Sequence, residues 1–179
     1  MQILVVALLS REVEAEVRRI SFKYQPQLYE GKELPPHITL MPPADLIGKL
    51  ADVEQALDQV VKNQPDFAIT IRGVDYFTRR NNVVYFQVEL LTQLEDLQKT
   101  VVKSLSSLIQ LDSYKKSSFR PHITLAKKMD SDRLQQILKE LKDYQPKFTF
   151  PFQELGLFML DERERFWQLR KKFALDHNL

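Results

Sequence analysis

Pro36-His-Ile-Thr-Leu40 returns unchanged as Pro121-His-Ile-Thr-Leu125, and the reading of this repeated stretch decides the fold. Its histidines stand at positions 37 and 122, 85 residues apart in a chain of 179, so the repeat divides the sequence close to its middle. A recurrence at that spacing predicts a duplicated architecture of two lobes related by an approximate two-fold axis. On a β-strand successive side chains alternate between faces. His37 and Thr39 therefore share one face while Ile38 and Leu40 point to the other, and His122, Ile123, Thr124 and Leu125 repeat the arrangement. Each strand offers one imidazole and one hydroxyl to a surface, with an Ile-Leu pair anchoring its reverse side in the core. Pro36 and Pro121 restrict the backbone leading into the strands and help to hold each imidazole in place.

Outward from the first copy, Ile3 to Leu9 is an apolar run of strand length, and Ser10 is placed to cap a helix whose face carries Val13, Val17, Ile20 and Tyr24. A short strand is expected from His37 to Met41. A helix then follows Pro43 with Leu46, Leu50, Val53, Leu57 and Val61 on one face, and a half-buried strand runs from Phe67 to Phe77. The polar turn Arg79 to Asn82 suggests a hairpin into a strand from Val83 to Leu90. A helix from Thr92 to Ile109 and a basic loop over Lys115 to Arg120 lead to the second copy. Asp130 or Ser131 caps a further helix bearing Leu134, Ile137, Leu138 and Leu141. Phe148 to Phe152 and Leu155 to Leu160 read as one long or interrupted strand, with Pro151 favouring an edge or a bulge, and Phe166 to Leu175 as a last strand. No glycine-rich loop follows the first strand, which argues against a doubly wound dinucleotide fold. The expected class is α+β: a single domain over 1–179 with a bilobal, duplicated fold, lobes of about 1–80 and 81–179, and two antiparallel or mixed sheets with outer helices and a central cleft.

Composition narrows the chemistry. The chain is 44% hydrophobic and 28% charged with four Gly and nine Pro, which excludes a mainly disordered or collagen-like polymer. A chain this long buries roughly 70% of its extended surface, so folding needs no metal or disulfide staple. Absence of cysteine removes thiolate nucleophiles and cysteine-ligated zinc or iron-sulfur centres. The formal charge of +2 permits a phosphate ligand without arguing for one. The N-terminal apolar run has no basic segment before it and no stretch is long enough to span a bilayer, so a cytoplasmic protein is expected.

Two histidines facing one cleft form a sensible acid-base pair. An unperturbed pKa near 6.5 lets one be neutral while the other is protonated near neutral pH. Such a pair suits metal-free phosphoryl transfer at a phosphodiester, where one group takes a proton from the attacking oxygen and the other gives one to the departing alkoxide. Thr39 and Thr124 can donate to nonbridging phosphate oxygens. The bland reading is that these are ordinary strand residues, each histidine satisfied locally and each threonine present for its β propensity; recurrence at equivalent positions weighs against it. A two-histidine metal site would need a third ligand, for which Asp75, Asp112 and Asp161 are available.

On the tetrapeptides His37-Ile-Thr-Leu40 and His122-Ile-Thr-Leu125, with Phe119-Arg-Pro121 before the second, the sequence resembles the 2H phosphoesterase superfamily, which includes 2'-5' RNA ligase-like proteins and cyclic nucleotide phosphodiesterases. The resemblance covers nearly the whole chain. It implies that His37 and His122 are the catalytic acid and base, that Thr39 and Thr124 orient the phosphate, and that no cofactor or metal is required. The implied partner is RNA or a nucleotide carrying a 2',3'-cyclic phosphate or a 2'-5' linkage. A noncatalytic RNA- or phosphate-binding module is the alternative use of the same residues, and a structural or regulatory protein that kept the scaffold is a third.

Further substrate contacts are expected from cations near strand ends, Arg79, Arg80, Lys115, Lys116, Arg120, Lys127 and Lys128, with Arg120 foremost because it adjoins the second motif. Lys127 shares the face of Thr124 only if a bulge intervenes. Phe77 and Tyr85 are candidate walls of the pocket, whereas Trp167 reads as packing for the last strand, Arg170 to Lys172 as a solvated face, and His177 as an exposed terminal residue.

Overall fold

The computed structural model describes residues 1–26, 34–78, 81–110, 119–163 and 165–175. The apolar run at the start is strand β1 (Gln2–Leu8), followed by helix α1 (Arg11–Tyr24). Ser10 caps that helix by accepting from the Val13 amide, and its buried stripe contains Val13, Val17, Ile20 and Tyr24. Strand β2 (His37–Leu46) carries the first motif, helix α2 (Leu50–Lys62) follows, and strands β3 (Ala68–Phe77) and β4 (Asn82–Val88) form the expected antiparallel hairpin. Helix α3 (Thr92–Leu105) and the two-residue strand β5 (Ile109–Gln110) precede strand β6 (His122–Met129), which carries the second motif. Helix α4 (Ser131–Glu140), capped by the Asp130 carboxylate on the Arg133 amide, and strands β7 (Lys147–Pro151), β8 (Glu154–Asp161) and β9 (Phe166–Ala174) complete the chain.

The α+β class holds, with two wholly antiparallel sheets. One has the order β5-β2-β1-β8-β9 and the other β6-β4-β3-β7. The motif strand in each pairs with the strand that begins its half, β2 with β1 and β6 with β4. Helices and sheets enclose the larger apolar core, which takes Ile3, Val5 and Ala7 from β1, Ile38 and Leu40 from β2, and Ile123 and Leu125 from β6. The helices cross between halves: α1 packs on β6, and α3 packs on β2.

Both sheets draw strands from both sides of residue 80. Strand β3 lies with β4, β6 and β7, while β8 and β9 return to β1 and β2. A cut near residue 80 therefore follows the sequence repeat and not the sheets. The segment read as one interrupted strand over 148–160 is the place where the chain changes sheet, with β7 ending beside Ala68 at Pro151 and β8 beginning beside Ala174 at Glu154. Two boundaries also differ. Strand β2 runs on through Pro42 and Pro43 to pair Asp45 and Leu46 with Gln110 and Ile109, so α2 starts at Leu50 and not just after Pro43. Helix α3 stops at Leu105, where the Ser104 and Ser106 hydroxyls bond back to the Thr100 and Lys103 carbonyls, and Ile109 joins a strand.

The two motif strands share an irregularity. Val5 and Val6 of β1 oppose Met41 and Thr39, which leaves Leu40 unopposed; Val84 and Tyr85 of β4 oppose Ala126 and Thr124, which leaves Leu125 unopposed. A bulge thus falls at the same motif position in both halves. It turns two consecutive residues inward, Leu40 with Met41 and Leu125 with Ala126, all buried.

Candidate active site

The bulges decide what stands beside the motif residues. After the bulge the alternation restarts one residue late, so Lys127 returns to the face of Thr124, while Pro42 holds the corresponding place in the first motif. The edge of β6 at Lys127 is closed by the Gln25 side chain at the end of α1. Its amide donates to the Lys127 carbonyl at 2.9 Å and its oxygen accepts from the Lys127 amide at 2.8 Å. Gln98 of α3 makes a related contact at the other bulge, donating to the Leu40 carbonyl at 3.3 Å.

His37, Thr39, Thr124 and Lys127 line one cavity of about 210 Å³, together with Leu4, Leu34, Pro35, Pro36, Pro43 and Trp167. Each catalytic-candidate imidazole is oriented by a carbonyl two residues upstream, His37 Nδ1 to Pro35 at 2.7 Å and His122 Nδ1 to Arg120 at 2.8 Å. A carbonyl only accepts, so both rings carry hydrogen on Nδ1 and turn Nε2 away from the strand's own backbone. Burial pushes His37 down to about 4, against the opposing pull of the Pro35 carbonyl, and the charges of Lys127 and His122 lower it further. The charge of His122 is felt at His37, although His122 is not among the residues that line the His37 cavity.

A second cavity of about 460 Å³ is lined by residues that include Phe77, Tyr85, Arg120, Asp75 and Gln87. Phe77 and Tyr85 stack on each other at 4.3 Å, and each meets the His122 ring at 5.2 Å in an edge-on arrangement. The Tyr85 hydroxyl donates to Asp75 at 3.2 Å, and burial together with the Asp75 charge pushes it up to about 12, so it stays a donor. Phe77 and Tyr85 thus act first as the support of His122. Arg120 stands in this second cavity and its charge reaches Tyr85.

Arg79, Arg80, Lys115, Lys116, Asp112 and His177 lie outside the described residues. Of the three carboxylates weighed as metal ligands, Asp75 accepts from Tyr85 and from the Tyr76 amide, and Asp161 accepts from the Arg163 amide and Gln168. Among the described residues no group of three or more His, Asp or Glu side chains could hold a metal ion. The Arg170 to Lys172 run forms exposed ion pairs with Glu54, Asp58 and Glu154, two of which tie β9 to α2.

Residues 9–164 match the sequence model of the 2'-5' RNA ligase superfamily. The chain belongs to that superfamily. A relative from Oceanobacillus iheyensis, provisionally named a phosphoesterase, is 26% identical over 93% of both chains. Among solved structures, the TT0787 protein of Thermus thermophilus superposes with a TM-score of 0.67 at 20% identity over 98% of both chains. E. coli LigT complexed with 3'-AMP gives 0.64 at 18% identity, again over 98% of both. Within this superfamily member, sequence reasoning missed Trp167 and Gln25. Trp167 lines the His37 cavity although it reads as simple packing; the signal for it is that the chain's one tryptophan falls on a strand otherwise rich in charge. Gln25 carries no sequence signal, since its role depends on the exposed edge of a strand about a hundred residues away.

No described helix is long and apolar enough to cross a membrane.

Proposed function

We propose that the protein is a metal-independent phosphoesterase of the 2H type that opens a 2',3'-cyclic phosphate, or cleaves a 2'-5' phosphodiester, of RNA or a nucleotide. The observation that carries the reading is the convergence of His37, Thr39, Thr124 and Lys127 on one cavity with His122 in electrostatic reach. Thr39, Thr124 and Lys127 hold the nonbridging oxygens, where fixed donors stabilise the charge that grows in the transition state. His37, neutral near pH 7, accepts a proton on Nε2 from water as the water oxygen bonds to phosphorus. The bond from phosphorus to the ribose oxygen breaks on the opposite side, and His122 delivers a proton to the departing alkoxide. The product is a phosphate monoester and a free hydroxyl; the reverse exchanges the two roles. Arg120 lies on the His122 side, where it can meet a flanking phosphate. The binding of 3'-AMP by E. coli LigT, which shares the fold, is consistent with a nucleotide product in such a cleft. The proposal places the enzyme in the cytoplasm, a setting compatible with a chain that has no cysteine.

The test is a panel of 2',3'-cyclic nucleotides, cyclic-phosphate-ended RNA and 2'-5' linked oligonucleotides assayed in EDTA, with the products identified. Turnover is expected to survive chelation and to fall by at least about a thousandfold in His37→Ala and in His122→Ala. Full activity in both variants, or phosphate and RNA binding without turnover of any substrate, would refute the assignment.

A further inference from the structure

The two faces of the cleft differ in chemistry. The four-stranded sheet lines its side with Asp75, Gln87, Arg72 and the Phe77-Tyr85 pair, in which one flat face of each ring is already turned on the other. The five-stranded sheet, which carries His37 and Thr39, instead presents an apolar cluster. Leu4, Val6 and Phe158 are buried there, with Leu8, Leu34 and Trp167 packed against them. Gly156 admits the cluster's aromatic member: a Cβ at that position would lie 2.9 Å from Cε2 of Phe158, with Val6 and Leu8 side-chain carbons at 3.3 Å.

Trp167 occupies a particular place in this cluster. It lines the 210 Å³ cavity with His37, Thr39, Thr124 and Lys127, and it also lines a neighbouring cavity of about 670 Å³ with Leu8, Leu9, Phe158 and Leu169. Pro35, whose carbonyl orients His37, borders both. The smaller space is below the ~300–1,000 Å³ range of pockets that enclose a whole small ligand, so it suits a phosphate better than a complete nucleotide. The remainder of the substrate must continue past a wall, and on the His37 side that wall is a half-buried indole opening onto a larger, partly apolar space.

We infer that Trp167 is the stacking surface for the base of the nucleoside whose phosphate sits between His37, Thr39, Thr124 and Lys127, forming a nucleobase subsite on the five-stranded sheet. The inference rests on the phosphoesterase reading for the position of the phosphate. Stacking on an aromatic ring accepts every base, because each has a π face, so the subsite selects for a base without selecting which one.

The chain has a single tryptophan, so its intrinsic emission reports on this position alone. Titration of the intact protein with 2',3'-cyclic AMP is expected to quench that emission, whereas inorganic phosphate at saturation leaves it within about 10%. In kinetics, Trp167→Ala is expected to raise KM for 2',3'-cyclic AMP by about ten- to a hundredfold while kcat stays within about threefold, and Trp167→Phe to restore most of the loss. Methyl riboside 2',3'-cyclic phosphate, which has the sugar and cyclic ester without a base, should lose at least about tenfold less kcat/KM on Trp167→Ala than 2',3'-cyclic AMP does. Unchanged emission with nucleotide, or equal losses on the base-free ester, would overturn the subsite. Failure of the wild type to turn over either ester would count against the phosphoesterase reading alone, because the emission titration still decides whether a base stacks on Trp167.

Discussion

His37 and His122 are held by the same device, a carbonyl two residues upstream that fixes hydrogen on Nδ1, yet they stand in different surroundings. His37 is half-buried, and desolvation of its ring, with the charges of Lys127 and His122 behind it, keeps it neutral down to about pH 4. If it is the proton acceptor of the proposed reaction, it should give kcat/KM an acid limb centred near 4 in place of the ~6.5 of an unperturbed histidine. The same shift links to stability. The unfolded chain binds this proton more readily than the folded one, so the contribution is complete above about pH 6.5 and is lost as pH falls from there towards 4, a span worth roughly 3 kcal/mol. Urea unfolding at pH 7 and pH 5 should show wild type losing more stability on acidification than His37→Gln; identical losses would show that the ring is not held neutral. Strand alternation made the shared face of His37 and Thr39 legible from the sequence. The contrast in their surroundings was not, because it depends on what the fold brings near each ring, a cavity shared with Leu34, Pro35 and Trp167 on one side and the Phe77-Tyr85 pair on the other.

Among the elements, the paired bulges at Leu40 and Leu125 have the most consequence, since the second returns Lys127 to the cleft. A bulge on an edge strand leaves its amide and carbonyl open on the outer side, and Gln25 closes both with one side chain. Gln25 is therefore a positioning residue for Lys127. Two hydrogen bonds of ~0.5–1.5 kcal/mol each predict that Gln25→Ala lowers kcat/KM by about tenfold. In a Lys127→Ala background the second substitution should cost almost nothing further, a coupling that a double-mutant cycle measures directly. Gln25→Glu should fall between, since a carboxylate can accept from the Lys127 amide but cannot donate to its carbonyl. Equal losses with and without Lys127 would reduce Gln25 to a structural contact. The helices and strands themselves were readable from apolar spacing and caps such as Ser10 and Asp130. The bulges were not, because Leu40-Met41 and Leu125-Ala126 are ordinary apolar pairs, and the run of β2 through Pro42 and Pro43 was hidden by two residues that normally stop a strand.

At the scale of the molecule, the duplication announced by the repeated pentapeptide is real in the order of strands and crossed in space. Equivalent positions hold β2-β1-β8 in one sheet and β6-β4-β3 in the other, so the strand beside each central one comes from the opposite half of the chain. This exchange was illegible because nothing in Phe67 to Phe77 or Leu155 to Leu160 distinguishes one apolar sheet from another; pairing partners are a property of the whole fold. It has a thermodynamic consequence. A fragment of residues 1–80 would contain β3 without β4 or β7 and β1 without β8, while residues 81–179 would contain β8 and β9 without β1. Each would expose strand edges and the core residues Ile3, Val5 and Ile71, or Leu155 and Leu157, that the other half covers. Neither fragment should fold alone, as read by collapsed amide dispersion and an absent cooperative transition. Mixing the two should restore strand signal and, under the phosphoesterase assignment, turnover, because α1 brings Gln25 to β6 and α3 brings Gln98 to β2 only when both halves are present. The intact chain should unfold in one step, with near-ultraviolet and far-ultraviolet signals coincident. A stable, dispersed spectrum from either fragment would mean that the exchanged strands are not what closes the two sheets.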